Sequence, residues 1–148
     1  MYLLLVALGV LILDQGTKYA VLSGMIEGDS YPIIENVFHL TFVRNPGAAF
    51  GMMPNKTYFF ISVSLVVLAG IIYYYRTIPK EQKWLRIAMG LVAGGAVGNL
   101  IDRVRFGHVV DFFDFRVWPV FNIADSAIVV AVAIIFLYLI REGKNERS

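Results

Sequence analysis

The sequence predicts an all-α membrane protein: four transmembrane helices, a small extracytoplasmic β-like segment, and an outer loop over a polar site. Three observations carry that prediction. Hydrophobic residues make up 58% of the 148, and the mean hydropathy is +0.68. Charged residues make up 16%, against roughly 25% in an ordinary soluble domain. Four apolar stretches approach the about 20 helical residues that a bilayer crossing takes.

The first span runs from Tyr2 to Leu22, the second from Tyr58 to Tyr75, the third from Trp84 to Ile101, and the fourth from Phe121 to Ile140. Together they read as one integral membrane domain covering residues 1–148. The first span has no basic segment before it, and Asp14, Gln15 and Lys18 interrupt its outer half. It therefore reads as a retained span and not as a cleaved leader. Between the first two spans, Glu27 to Lys56 has a different character. Asn36 to Val43 alternates and is rich in β-branched and aromatic residues, which predicts a short strand or hairpin. Asn45-Pro46-Gly47 reads as the turn that closes it.

Basic residues set the expected orientation. Arg76, Lys80, Lys83 and Arg86 lie between spans two and three, and Arg141, Lys144 and Arg147 lie in the tail. The other two loops are rich in acid: Glu27, Asp29, Glu35, Asp111 and Asp114. Both termini and the middle loop are expected in the cytoplasm. The β-like segment and the Arg103–Pro119 loop are expected outside.

Composition removes several chemistries. With no cysteine there is no thiol catalysis, disulfide or cysteine-bound metal. His39 and His108 are the only histidines, too few for a histidine-rich metal centre. A net charge of +2 does not argue for nucleic acid. Neither metal nor cofactor is expected.

Polar residues on three spans fall at one depth. Helical rise puts Asp14 about 20 Å, Asn99 about 22 Å and Asp125 about 24 Å above the inner face, in a hydrocarbon core about 30 Å thick. Polar groups at such depth face a bundle interior or a wet cavity. Asp111 and Asp125 flank one short loop, which points to a shared acid–base pair. The other groups also have plain structural readings. Asp14 can pair with Lys18 at i+4, and Asn99 and Arg103 share a helix face at the same spacing. Asp102 reads as an interfacial charge, Asp114 and Arg116 as solvated loop residues, and Lys56 and Arg105 as interfacial anchors. The histidines read as structural. Gly90, Gly94, Gly95 and Gly98 read as a close-packing face, and Tyr73 to Tyr75 as an interfacial belt.

Five sequence blocks in this order closely resemble the lipoprotein signal peptidases, the type II signal peptidases of bacteria. They are Asp14-Gln15-Gly16-Thr17-Lys18, Asn45-Pro46-Gly47-Ala48-Ala49-Phe50-Gly51, Gly94 to Arg103, Val110-Asp111-Phe112, and Phe121 to Asp125. The resemblance implies an intramembrane aspartic endopeptidase of the bacterial cell (inner) membrane, with its site toward the extracytoplasmic face. Its substrates would be diacylglyceryl-modified prolipoproteins, cut N-terminal to the lipidated cysteine. By matching motifs, Asp111 and Asp125 would be the catalytic dyad. Asp14, Lys18, Asn45, Asn99, Arg103 and Asn122 would support it or bind substrate. Partners would be these substrates and membrane lipids, with globomycin as inhibitor, and the chain is expected to be a monomer.

Two rivals stand beside this. A small channel or transporter would also place polar residues inside a bundle, but it needs a polar stripe of full depth. Spans two and four are nearly all apolar toward the cytoplasm. A serine–lysine peptidase would use Ser126 and Lys18.

Overall fold

In the computed structural model, which describes residues 2–47 and 57–145, four long helices carry a small sheet at one end. The helices are α1 (Tyr2–Gly24), α2 (Thr57–Tyr75), α3 (Lys83–Phe106) and α4 (Ile123–Asn145). The strands are β1 (Ser30–Ile34), β2 (Phe38–Asn45) and β3 (Val109–Asp114). All four helices are long and apolar enough to cross a membrane. Their outer surfaces carry exposed Leu4, Leu5, Leu8, Ile12, Val66, Ile72, Val129 and Leu137. That inversion of the soluble pattern suits a lipid environment.

Helix α3 is the centre of the bundle and packs against α1, α2 and α4. Small residues make this possible. A Cβ on Gly94 would come within 2.7 Å of the Ala7 carbonyl oxygen on α1, and one on Gly95 within 2.5 Å of the Ala124 carbonyl oxygen on α4. Backbones this close leave no room for side chains, as in small-residue packing within membranes. In contrast, α2 buries only Ile71.

The third helix runs five residues beyond the expected Ile101. Hydropathy ends there, but the backbone does not. Arg103 and Arg105 fall in the last turn, where positive charge suits the helix dipole. Gly107 then stops the helix at φ 78°, its N–H donating to the Arg103 carbonyl at 3.0 Å. The fourth helix starts at Ile123, two residues later than expected.

The three strands are antiparallel in the order β1-β2-β3. The hairpin predicted between the first two spans is present, but its turn lies elsewhere. Asn36, at φ 60°, turns the chain between β1 and β2. Asn45 is instead the last residue of β2, opposite Val109 of β3. The third strand corrects the sequence reading of the Arg103–Pro119 segment, which was expected to be a loop. Val109 to Asp114 offers no alternation to read, because this strand is buried at nearly every position and has no polar face. The sheet is seated on the bundle through Val21, Phe42, Val110 and Phe112, with Ile123 beside them.

Asp114 is likewise buried and not a solvated loop residue. Its carboxylate accepts the Thr41 hydroxyl at 2.8 Å and the Arg116 N–H at 2.8 Å. Desolvation works to raise its pKa, but these donors and the Arg116 guanidinium outweigh it and hold it below the usual carboxylate range. Arg116 is solvated as expected. His39 bonds Ser30 and His108 stacks on Phe106, both structural arrangements. Lys56 and Ala48 to Gly51 lie outside the described residues.

Candidate active site

Asn122 immediately precedes α4 and caps it. Its side-chain oxygen accepts the Asp125 N–H at 2.9 Å, the usual bond from a cap to the third helical residue. Asp125 thus sits in the first turn, where the helix dipole favours a carboxylate. The other end of the same amide donates to Asp111 Oδ1 at 2.6 Å. Asp111 is held on β3, paired with Val43 of β2. Its second oxygen accepts from Asn45 Nδ2 at 2.8 Å. Asn45 is itself fixed by the Gly47 N–H, which donates to its side-chain oxygen at 3.0 Å.

Asn99 serves Asp125. Its Nδ2 donates to Asp125 Oδ1 at 2.8 Å, and its Oδ1 accepts from Lys18 at 2.9 Å and from Asn122 at 3.2 Å. Arg103, one turn further along α3, stacks over Phe60 of α2 at 5.0 Å and reaches back to the Asn99 carbonyl. A cavity of about 190 Å³ is lined by Asp111, Asp125, Asn45, Asn99 and Arg103. Trp118 to Phe121 form another of its walls. Of the expected Arg103–Pro119 loop, Arg103, Val109, Asp111, Trp118 and Pro119 border the cavity. Burial, and then the Asp125 charge, push Asp111 up to about 7 despite the two amide donors.

The three polar depths therefore do converge, and more tightly than spacing alone implied. Asp14, Lys18 and Asp102 form a buried ionic group. Lys18 Nζ lies 2.9 Å from Asp14 Oδ2 and 2.8 Å from Asp102 Oδ2. The i, i+4 pairing of Asp14 with Lys18 is real, yet Asp14 also accepts the Ala124 N–H on α4 at 3.0 Å. Asp102 is the clearest correction. The sequence marks it as an interfacial charge, yet it is 1% exposed. It lies three residues after Asn99, so it shares the inward face of α3, and that period was the available signal. Sequence pattern alone assigns Gln15 no role. Its amide donates to Asp14, to Asp102 and to the Gly98 carbonyl.

The rival serine–lysine arrangement is not assembled. Ser126 donates to the Asn122 carbonyl at 2.8 Å, while Lys18 is held by Asp14, Asp102 and Asn99.

Comparison with known proteins shows the family. A model of the family described as signal peptidase (SPase) II matches residues 6–141. The chain belongs to the signal peptidase II family. A lipoprotein signal peptidase of Halothermothrix orenii is 50% identical over 141 residues, covering 95% of this chain and 96% of that one. One of Moorella thermoacetica is 50% identical over 146 residues, covering 98% and 97%. Two solved structures are described as bacterial membrane enzymes, at 2.3 Å and 1.9 Å resolution. Both are 37% identical to this chain, with TM-scores of 0.88 and 0.85. They cover 97% and 93% of it, and it covers 90% and 91% of them. The protein is thus a multi-pass membrane peptidase that cleaves signal peptides from prolipoproteins, and the channel reading is set aside.

Proposed function

We propose that the peptidase is of the aspartic type, with Asp111 and Asp125 as its catalytic dyad. The observation that carries this is the meeting of two carboxylates from separate elements, β3 and α4, in one cavity. Two close carboxylates do not both ionise easily, so they share a proton. The upward push on Asp111 keeps a proton in the pair near neutral pH. The ionised partner takes a proton from water as the water oxygen bonds to the scissile carbonyl carbon, while the protonated partner donates to the carbonyl oxygen. The C–N bond then breaks, and a proton passes to the leaving amine.

Asn45 and Asn122 hold Asp111, and Asn99 holds Asp125. Arg103 carries a cation at the cavity wall, suited to the substrate backbone. Asp14 and Lys18 support Asn99 and the start of α4. Both oxygens of Asp111 accept amide N–H groups, which fix its orientation in the cavity. The substrate is the diacylglyceryl-modified prolipoprotein, cut N-terminal to the lipidated cysteine. Its lipid anchor would present the scissile bond near the outer leaflet of the bacterial inner membrane. Globomycin would occupy the same cavity. The chain would act as a single-domain monomer over residues 1–148, with both termini in the cytoplasm.

The test is cleavage of a lipidated prolipoprotein by purified enzyme, beside its unlipidated control. Cleavage of the lipidated form alone, blocked by globomycin and unaffected by a metal chelator, supports the reading. Equal cleavage of both forms, or loss of activity to a chelator with recovery on adding one metal, overturns it.

A further inference from the structure

The ionic group beneath the cavity has a geometry that goes beyond support for Asn99. Lys18 is 2% exposed. An ammonium has three donors and no acceptor, and all three have partners: Asp14 Oδ2, Asp102 Oδ2 and Asn99 Oδ1. The two carboxylates that hold it also grip backbone. Asp14 Oδ1 accepts the N–H of Ala124 at 3.0 Å, and Asp102 Oδ2 accepts the N–H of Val110 at 3.1 Å. Ala124 is the residue before Asp125, and Val110 is the residue before Asp111. One buried cation therefore ties together the backbone just ahead of both aspartates.

From this we infer that Lys18, through Asp14 and Asp102, is the positioning residue that sets the spacing of Asp111 and Asp125. The inference rests on those two residues being the dyad. A donor-only ammonium also fixes the Asn99 side chain. Its oxygen must face Lys18, so its N–H group must face Asp125. The clamp thus sets two backbones and one amide with a single charge. Without it, Asp14 and Asp102 would be uncompensated buried like charges and would separate. Either aspartate would then move relative to the other. A displacement near 1 Å at reacting groups costs about 10²-fold in rate.

The test uses full-length enzyme and lipidated prolipoprotein, with melting followed in detergent. Lys18→Met removes the charge and keeps the bulk. It should lower kcat about 10²-fold with KM nearly unchanged, since Lys18 touches no substrate. Its pH profile should also shift. The charges that act on Asp111 are those of Asp125 on α4, Lys18 on α1 and Arg103 on α3. Lys18 lowers the Asp111 pKa, so removing it moves the Asp111 limb of the profile to higher pH. That shift reports the lost charge, and the fall in kcat at constant KM reports the lost positioning.

The Asp102 pair gives the reading if Lys18→Met does not fold. Asp102→Asn keeps one acceptor oxygen, enough for both Lys18 and the Val110 N–H at the Oδ2 position, and gives up only the Gln15 bond, whereas Asp102→Ala removes all three. Alanine should lose about 10²-fold in kcat, and asparagine should recover most of that loss. A folded Lys18→Met with native kcat and an unshifted profile, or equal kcat for the two Asp102 variants, overturns the clamp. Asp111→Asn separates the two readings. If it is inactive while the clamp variants are native, the clamp alone fails; if it is active, the dyad reading fails.

Discussion

Asn122 donates to Asp111 at 2.6 Å while the same side chain caps the helix that carries Asp125. One amide thus couples a helix start to a strand residue, so folding of α4 and geometry at the cavity are not independent. Asn122→Ala should lower stability by about 1–3 kcal/mol, from the lost cap and a buried group left unpaired. Cleavage should fall further than stability does. Asn45→Ala removes a donor to Asp111 at the end of β2 and should lower cleavage with less effect on melting. Native cleavage rates in either folded variant would contradict its role.

Two glycines in helices separate close packing from mere permissiveness. A Cβ on Gly98 would run into the Asp14 carboxylate, whereas one on Gly16 meets nothing within 4 Å. Gly98→Ala should cost about 1–3 kcal/mol by overpacking and disturb Asp14. Gly16→Ala should be neutral or stabilising by up to about 1 kcal/mol, from helix propensity. Melting temperatures of the two variants in one detergent decide it. Equal values would show that α1 and α3 are not packed this closely.

Asp111 predicts a pH dependence with a definite sign. Its pKa is pushed from 3.8 to about 7, so the folded state favours the protonated form. That contribution is complete below pH about 4, near the unfolded value, and is lost as pH rises through about 7. The native protein should therefore lose stability across this window. Asp111→Asn does not titrate, so its melting temperature relative to the native protein should rise from pH 5 to pH 8. A margin that does not change with pH would contradict the shift.

The basic residues between α2 and α3 predict the topology. A cysteine at Lys80, in a chain with none of its own, should resist an outside-only thiol reagent in intact cells. It should react after permeabilisation. Labelling in intact cells would reverse the orientation.

The helices were legible because hydropathy and length decide a span, and the candidate site because Asp14, Asn99 and Asp125 share a depth. What escaped the sequence has a physical reason in each case. The strand Val109–Asp114 is buried at nearly every position, so it lacks the alternation that betrays a strand with one wet face. Asp102 looked interfacial because it stands beside Arg103 at the apolar boundary, yet α3 continues past it and turns it inward to Lys18. The β1–β2 turn falls at Asn36, where a left-handed backbone, and not the Asn45-Pro46-Gly47 segment, reverses the chain. The joining of both aspartates by Asn122 rests on a contact between β3 and the cap of α4, which no local pattern encodes.

The most direct measurement is cleavage of a lipidated prolipoprotein by purified, folded Asp111→Asn and Asp125→Asn. Both substitutions are nearly isosteric, so folding and insertion should survive. Each removes a proton-transfer site the other residue cannot replace, and such steps contribute about 10²–10⁴-fold. Both variants should be inactive or nearly so, and the double variant no worse than either, because groups acting as a unit are not additive. A single variant retaining more than about a tenth of native activity, well above what loss of such a step allows, would contradict the aspartic dyad.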